Sequence, residues 1–327
     1  MCLPHEHLSM TAIPLQVPAQ ADEKHLEDVP FALDTLWWIQ HNPYSHKPNL
    51  SLDDRDAILA EMKFFKEKGG KTIVENTTNG LCRDVKFVKD IALTSGVNIT
   101  AGTGYYVATS HPPDMAHRTV EDLTIEMTSE IVTGVKGTDV KCGHIGEIGC
   151  SWPLEAAEKK VLQATAHTQE ATGAPVIIHP GRDSAAPAEI IRILAEAGGD
   201  ISRTVMSHLD RTLHTKEAIL EYASLGSYCE YDLFGVELSH YQLQSSLDMV
   251  NDAQRIQRIK WLIEAGFEDR ILIAHDVHTK HRLMKYGGHG YSHILMNILP
   301  KMLDRGISQE TIKKITETNP QRWLTFK

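Results

Sequence analysis

One pattern runs along most of this chain: a short β-branched apolar run, an amphipathic helical stretch, then the next run. Seven such runs stand at 71–76 (KTIVEN), 97–102, 142–149 (CGHIGEIG), 175–179 (PVIIH), 204–208 (TVMSH), 227–231 (SYCEY) and 271–275 (ILIAH). Helical periodicity fills 53–68, 84–95, 120–135, 154–172, 188–197, 216–225 and 254–266. Within 155–171, Ala157, Val161, Leu162 and Ala164 form an apolar stripe, with Glu158, Lys159 and Lys160 expected to face water. Strands separated by helices of this length need right-handed crossovers, which pair them parallel. A short N-terminal strand ending at His5-Glu6-His7 makes eight units. The expectation is an α/β fold, a (β/α)8 TIM barrel with a shortened first strand, closed by helices at 292–301 and 308–317. A doubly wound sheet would open on a glycine-rich phosphate turn, and neither GxGxxG nor GxxxxGK[ST] occurs. No linker or low-complexity tract divides the sequence, so 1–327 reads as one barrel domain, with an irregular stretch at 14–49.

Charge narrows the function classes. With 33 Lys+Arg against 43 Asp+Glu and a formal charge of −10, the surface lacks the clustered cations that nucleic acid or an anionic membrane requires, so neither partner is expected. No apolar stretch approaches the roughly 18 residues of a membrane span, and 1–20 has no signal-peptide pattern. Cys2, Cys82, Cys142, Cys150 and Cys229 are odd in number and form no CxxC. They read as reduced thiols, which points to a cytoplasmic protein. A homodimer is allowed by the sequence and not required by it.

The chemistry follows from the barrel. Reactive groups of this fold gather at the C-terminal ends of strands. There the sequence places His5 and His7, Glu147, His179, His208 and Asp276. The period of two along a strand turns His5 and His7 to one face and Glu6 away. A lone HxH is common by chance, and a histidine closing an apolar strand is usually a hydrogen-bonded core residue. Four imidazoles and two carboxylates converging on one end are instead the nitrogen and oxygen donors that Zn²⁺ and similar ions favour. A carboxylate buried alone there would cost several kcal/mol, which a cation removes.

These motifs resemble the amidohydrolase superfamily and, within it, the phosphotriesterase family. WWIQHNPYSHK, GEIGCSWPL, VIIHPGR, VMSHLDRT, EYDLFG, RILIAHDVHTK, MKYGGHGYSHIL and NPQRWLTFK are similar to its animal, phosphotriesterase-related branch along nearly the whole chain. The resemblance implies two divalent metal ions, with Zn²⁺ the expected ion: one on His5, His7 and Asp276, the other on His179 and His208. Glu147 would bridge them, where bacterial members carry a carboxylated lysine. It also implies a tyrosine beside the ions, with Tyr106 a closer match than Tyr105. Such members have about two dozen residues before HEH, whereas Met1-Cys2-Leu3-Pro4 precede it here, which predicts a weakened first strand and a loosely held first metal.

Two ions roughly 3.5–4 Å apart can share a hydroxide and polarise a carbonyl, giving hydrolysis without a covalent intermediate. Asp276 would accept the proton and deliver it to the leaving group. The loops decide the substrate, and they carry Arg182, Arg211, Lys280, Arg282 and Lys285. These cations read either as loop salt bridges or as a clamp, led by Arg182 and Arg211, for a small anionic amide substrate. Tyr105 and Tyr106 would pack beneath the loops or touch that substrate. The resemblance implies cleavage of N-acetyltaurine, with weaker action on other N-acyl taurines. A lactonase or phosphotriesterase would want a more apolar pocket with fewer cations. A non-catalytic binding protein would show a broken ligand set, and all six positions here are competent. His289 and His293 are expected outside the ligand set, and His41, His46, His111, His117 and His144 at the surface.

Overall fold

In the computed structural model, which describes residues 1–326, eight strands form one parallel sheet. They are β1 (Cys2–Glu6), β2 (Thr72–Glu75), β3 (Asn98–Thr103), β4 (His144–Gly149), β5 (Val176–His179), β6 (Thr204–Met206), β7 (Tyr228–Tyr231) and β8 (Ile271–Ile273). Each strand neighbours the next in sequence, as βαβ crossovers dictate. The ring closes when Asp276 N donates to His5 O at 3.2 Å. Beside that bond the Glu6 carboxylate accepts His275 N and Val277 N, each at 2.9 Å, so a side chain completes the β8 to β1 seam.

Two apolar layers separate on the strand alternation. Ile73, Val176 and Ile178 join a large cluster with the surrounding helices. Val74, Ile177, Val205 and Leu272, from the opposite faces, form a small cluster with Cys2 and Tyr228. Trp323 joins that second set and donates its indole N–H to Val176 O at 3.2 Å. It plugs the N-terminal end of the ring, so the open end is the one where the strands finish.

The expected strands agree with the observed ones to within a few residues, but several expectations need correction. β1 has five residues, all buried and paired to β2, and most of its neighbours are no longer, so the expected weakness of the first strand is not seen. The stretch 14–49 is not wholly irregular, since it carries the helix Leu33–His41, on which Trp38 and Ile39 are buried. Glu158 does not face water. Its buried carboxylate accepts Ala108 N at 2.9 Å and Ser151 N at 3.0 Å, pinning two loops to the helix Ala156–Thr172. His46 and His144, expected at the surface, are buried, and His144 sits 3.1 Å from Asn76 Oδ1. All five cysteines are free thiols, and four are buried. Among the described residues no helix is long and apolar enough to cross a membrane.

Candidate active site

The six expected donors meet at the open end of the ring, all buried. Glu147 is at the middle. Its Oε1 lies 3.3 Å from His7 Nε2, and its Oε2 lies 3.4 Å from His5 Nε2, 3.1 Å from His179 Nδ1 and 3.7 Å from His208 Nε2. Asp276 Oδ1 is 3.4 Å from His7 Nε2 and 3.8 Å from His5 Nε2. Two groups result: His5, His7 and Asp276 on one side, and Glu147, His179 and His208 on the other. The residue before Glu147 can only be glycine. Gly146 has φ +126°, and a Cβ there would fall 2.2 Å from Ile177 O. His208 and Asp276 both adopt left-handed backbone, φ 56° and 53°. Non-glycine residues rarely do so, and such strain concentrates at functional positions.

Behind the donors, polar groups orient each ring. Thr77 Oγ1 donates to Glu75 Oε1 at 2.5 Å and is therefore an acceptor toward His7 Nδ1 at 2.9 Å. His208 Nδ1 faces Asp232 Oδ1 at 2.7 Å, and His5 Nδ1 faces Glu230 Oε2 at 3.1 Å, which Ser207 Oγ also contacts at 2.9 Å. A ring held as a donor at Nδ1 leaves Nε2 bare, which is how an imidazole is prepared to hold a cation. Asp232 also lies within reach of both His5 and His208, but through their Nδ1 edges. It therefore orients the rings and does not belong with the central donors. Sequence reasoning missed Glu75, Thr77, Ser207, Glu230 and Asp232. The signal available was a pair of polar residues two apart at the end of an apolar strand, as in EYD.

The residues present fit a divalent metal. His5 Nε2 is fully buried with no hydrogen-bond partner among the described residues, although it points at Glu147. His179 Nδ1 and His208 Nε2 stand 2.8 Å apart, two ring nitrogens turned to the same spot. Burial and the neighbouring His208 push His179 down to about 3, which keeps its ring in the neutral, ligating form. Burial raises Glu147, but His5, His179 and His208 outweigh it and hold the carboxyl well below its usual range. Two anions and four imidazoles, buried and mutually oriented, are a donor set suited to divalent cations. Replacing Glu147 by Gln keeps the shape and removes the central charge. Metal content by elemental analysis is expected to fall more than tenfold at limiting metal, by analogy with the loss from weaker outer contacts. Full retention of metal would show that Glu147 is not shared.

A cavity of about 510 Å³ opens above these donors. Tyr106 lines it, with its hydroxyl 3.3 Å from His179 Nε2. Tyr105 does not reach it, which corrects its expected role at the substrate. In the turn after β3 it points away from the cavity, and its hydroxyl donates to Glu126 Oε1 at 2.7 Å and meets Arg118. The loop cations divide. Lys280 and Lys285 pair with Asp53 and Asp54 at 2.6 and 2.5 Å, as loop salt bridges. Arg182, Arg211 and Arg282 line the cavity, and among the described residues none has a carboxylate within ion-pair distance. Arg211 is buried and donates to Pro180 O at 3.0 Å, while Arg282 donates to Asp276 O at 2.7 Å.

Residues 1–324 match the Phosphotriesterase family. The N-acetyltaurine hydrolase of Bos taurus is 56% identical over 326 residues, covering 99% of this chain and 93% of that protein. That of Danio rerio is 55% identical over 324 residues, again 99% and 93%. Among solved structures, a resiniferatoxin-binding protein from Rhodobacter sphaeroides superposes with a TM-score of 0.95 at 32% identity, covering 99% of this chain and 90% of that one.

Proposed function

From the premise that the chain belongs to the phosphotriesterase family, we propose that it is a metal-dependent amide hydrolase cleaving N-acetyltaurine, and more weakly other N-acyl taurines, to taurine and a carboxylate. The observation that carries the reading is a cluster of six metal-competent donors beside a cavity holding three arginines that, among the described residues, have no acid partners. A cation left uncompensated in a largely buried cavity is costly unless a ligand brings the opposite charge. That supports a small substrate with an anionic end, and the relatives' names supply the taurine sulfonate.

His5, His7 and Asp276 would hold one ion and His179 and His208 the other, with Glu147 between them, and Zn²⁺ suits these donors. Divalent ions in such a site raise the acidity of water and polarise a carbonyl oxygen. The chain supplies the rest. Asp276 is placed to take a proton from the attacking water and pass it to the leaving nitrogen, which needs it because an amide anion is a poor leaving group. Tyr106, Arg182, Arg211 and Arg282 line the cavity, where Tyr106 would meet the acyl group and the arginines the anion. The unpaired cysteines support a reducing cytoplasm.

Assays of N-acetyltaurine, an acyl-homoserine lactone and paraoxon on the purified protein test the reading. N-acetyltaurine is expected to give the highest kcat/KM by at least tenfold, the value of about one charge-assisted contact. Preference for the lactone or the triester would overturn it, and activity on none would favour a binding protein.

A further inference from the structure

Arg182 has one engaged nitrogen. Its Nε donates to Tyr241 Oη at 2.9 Å, and its guanidinium carbon sits 5.4 Å from the centroid of that ring. Among the described residues no other hydrogen bond and no carboxylate reaches it, while its side chain lines the cavity. Of the five N–H groups of an arginine, the one on Nε is thus spent and the two Nη ends remain, which is the fork that grips two oxygens of one anion. The partner matters as much as the fork. A tyrosine hydroxyl fixes direction without neutralising charge, whereas a carboxylate in its place would cancel the cation.

Tyr241 is itself anchored from two sides. It belongs to the loop between β7 and the helix Asp252–Glu264, where it packs on a small separate cluster of Leu233, Leu247 and Met249. The next residue, Gln242, accepts Tyr44 N at 2.9 Å and donates to Ser45 Oγ at 2.7 Å, so the loop is strung to the segment after β1. Tyr44 Oη in turn stands 2.9 Å from His278 Nε2. A loop carrying its own apolar cluster and spanning the cavity mouth sets where the ring of Tyr241 can be.

We propose that Tyr241 is a positioning residue that presents the Nη fork of Arg182 to the anionic end of the substrate, so that the loop after β7 determines selection of charged over neutral N-acyl amides. The inference rests on the amide-hydrolase reading for its substrate, and its test includes binding that needs no turnover. Tyr241→Phe keeps the packing and removes the hydroxyl. Calorimetric titration with 1-butanesulfonate, an unreactive anion, is expected to show about tenfold weaker binding in Tyr241→Phe and a larger loss in Arg182→Ala. For N-acetyltaurine the same Tyr241→Phe change is expected to raise KM with kcat preserved, and to leave the kcat/KM of neutral N-ethylacetamide unchanged. A wild-type sulfonate affinity in Tyr241→Phe, equal losses for the charged and neutral amides, or no sulfonate binding by the unaltered protein would overturn the assignment. Sulfonate binding that depends on Arg182 and Tyr241, without hydrolysis of N-acetyltaurine, would uphold it and overturn only the substrate.

Discussion

Asp276→Asn is expected to lower kcat for N-acetyltaurine by about 10²- to 10⁴-fold, with KM changed only a few-fold. The carboxylate stands among His7, His5 and His278, the last with Nδ1 at 3.1 Å from Oδ2. Burial raises it, but His278, His7 and His5 outweigh that and keep it well below its ordinary range, which favours the ionised form. Asparagine has nearly the same shape and an oxygen that can still serve a cation, but it cannot carry a proton from water to nitrogen. The loss falls on kcat because that transfer matters only as the bond breaks. Steady-state kinetics with metal content measured on the same sample decide it. An Asp276→Asn protein that keeps its metal and turns over at the wild-type rate would remove Asp276 from the proton path.

Glu6→Ala is expected to cost roughly 3–9 kcal/mol of folding stability, a large part of the ~5–15 kcal/mol that holds a typical protein together. Besides His275 N and Val277 N, the Glu6 carboxylate takes His275 Nδ1 at 2.7 Å, and all of these groups are buried. Without it, two backbone N–H groups and one ring N–H lose their acceptors at about 1–3 kcal/mol each. Gln at this position keeps one acceptor and turns a second donor toward the seam, so it is expected to fall between. Urea unfolding of the three proteins tests this. A Glu6→Ala midpoint indistinguishable from wild type would mean that water or a shifted backbone satisfies the seam.

The residues that were legible in the sequence are those whose position follows from periodicity alone. Apolar runs ending in His or Asp place a donor at a strand end, and strand ends converge in a barrel, so the six donors could be named without coordinates. What decides the remainder is contact between distant segments. Lys280 and Arg282 look alike on one loop, yet Asp53, far away in sequence, neutralises the first, and among the described residues no carboxylate pairs with the second. Glu158 reads as a solvent-facing helical residue until two loops deliver their N–H groups to it. Glu230 and Asp232 read as ordinary polar residues on a strand until the ring brings His5 and His208 against them. Tyr105 and Tyr106 are adjacent in the turn after β3, and only the folded loop tells which faces the cavity.

The seam joins residues 269 positions apart, which sets an order in time as well as in space. Contacts of such separation form late, because the loop they close is nearly the whole chain. Glu147, His179 and His208 lie on consecutive strands and can assemble while the chain is still emerging from a ribosome. His5 and His7, made first, must wait for Asp276, made near the end. One half of the site is thus drawn from neighbouring strands and the other from the two ends of the chain, so a chain stalled before β8 lacks the Asp276 carboxylate that completes the group of His5 and His7.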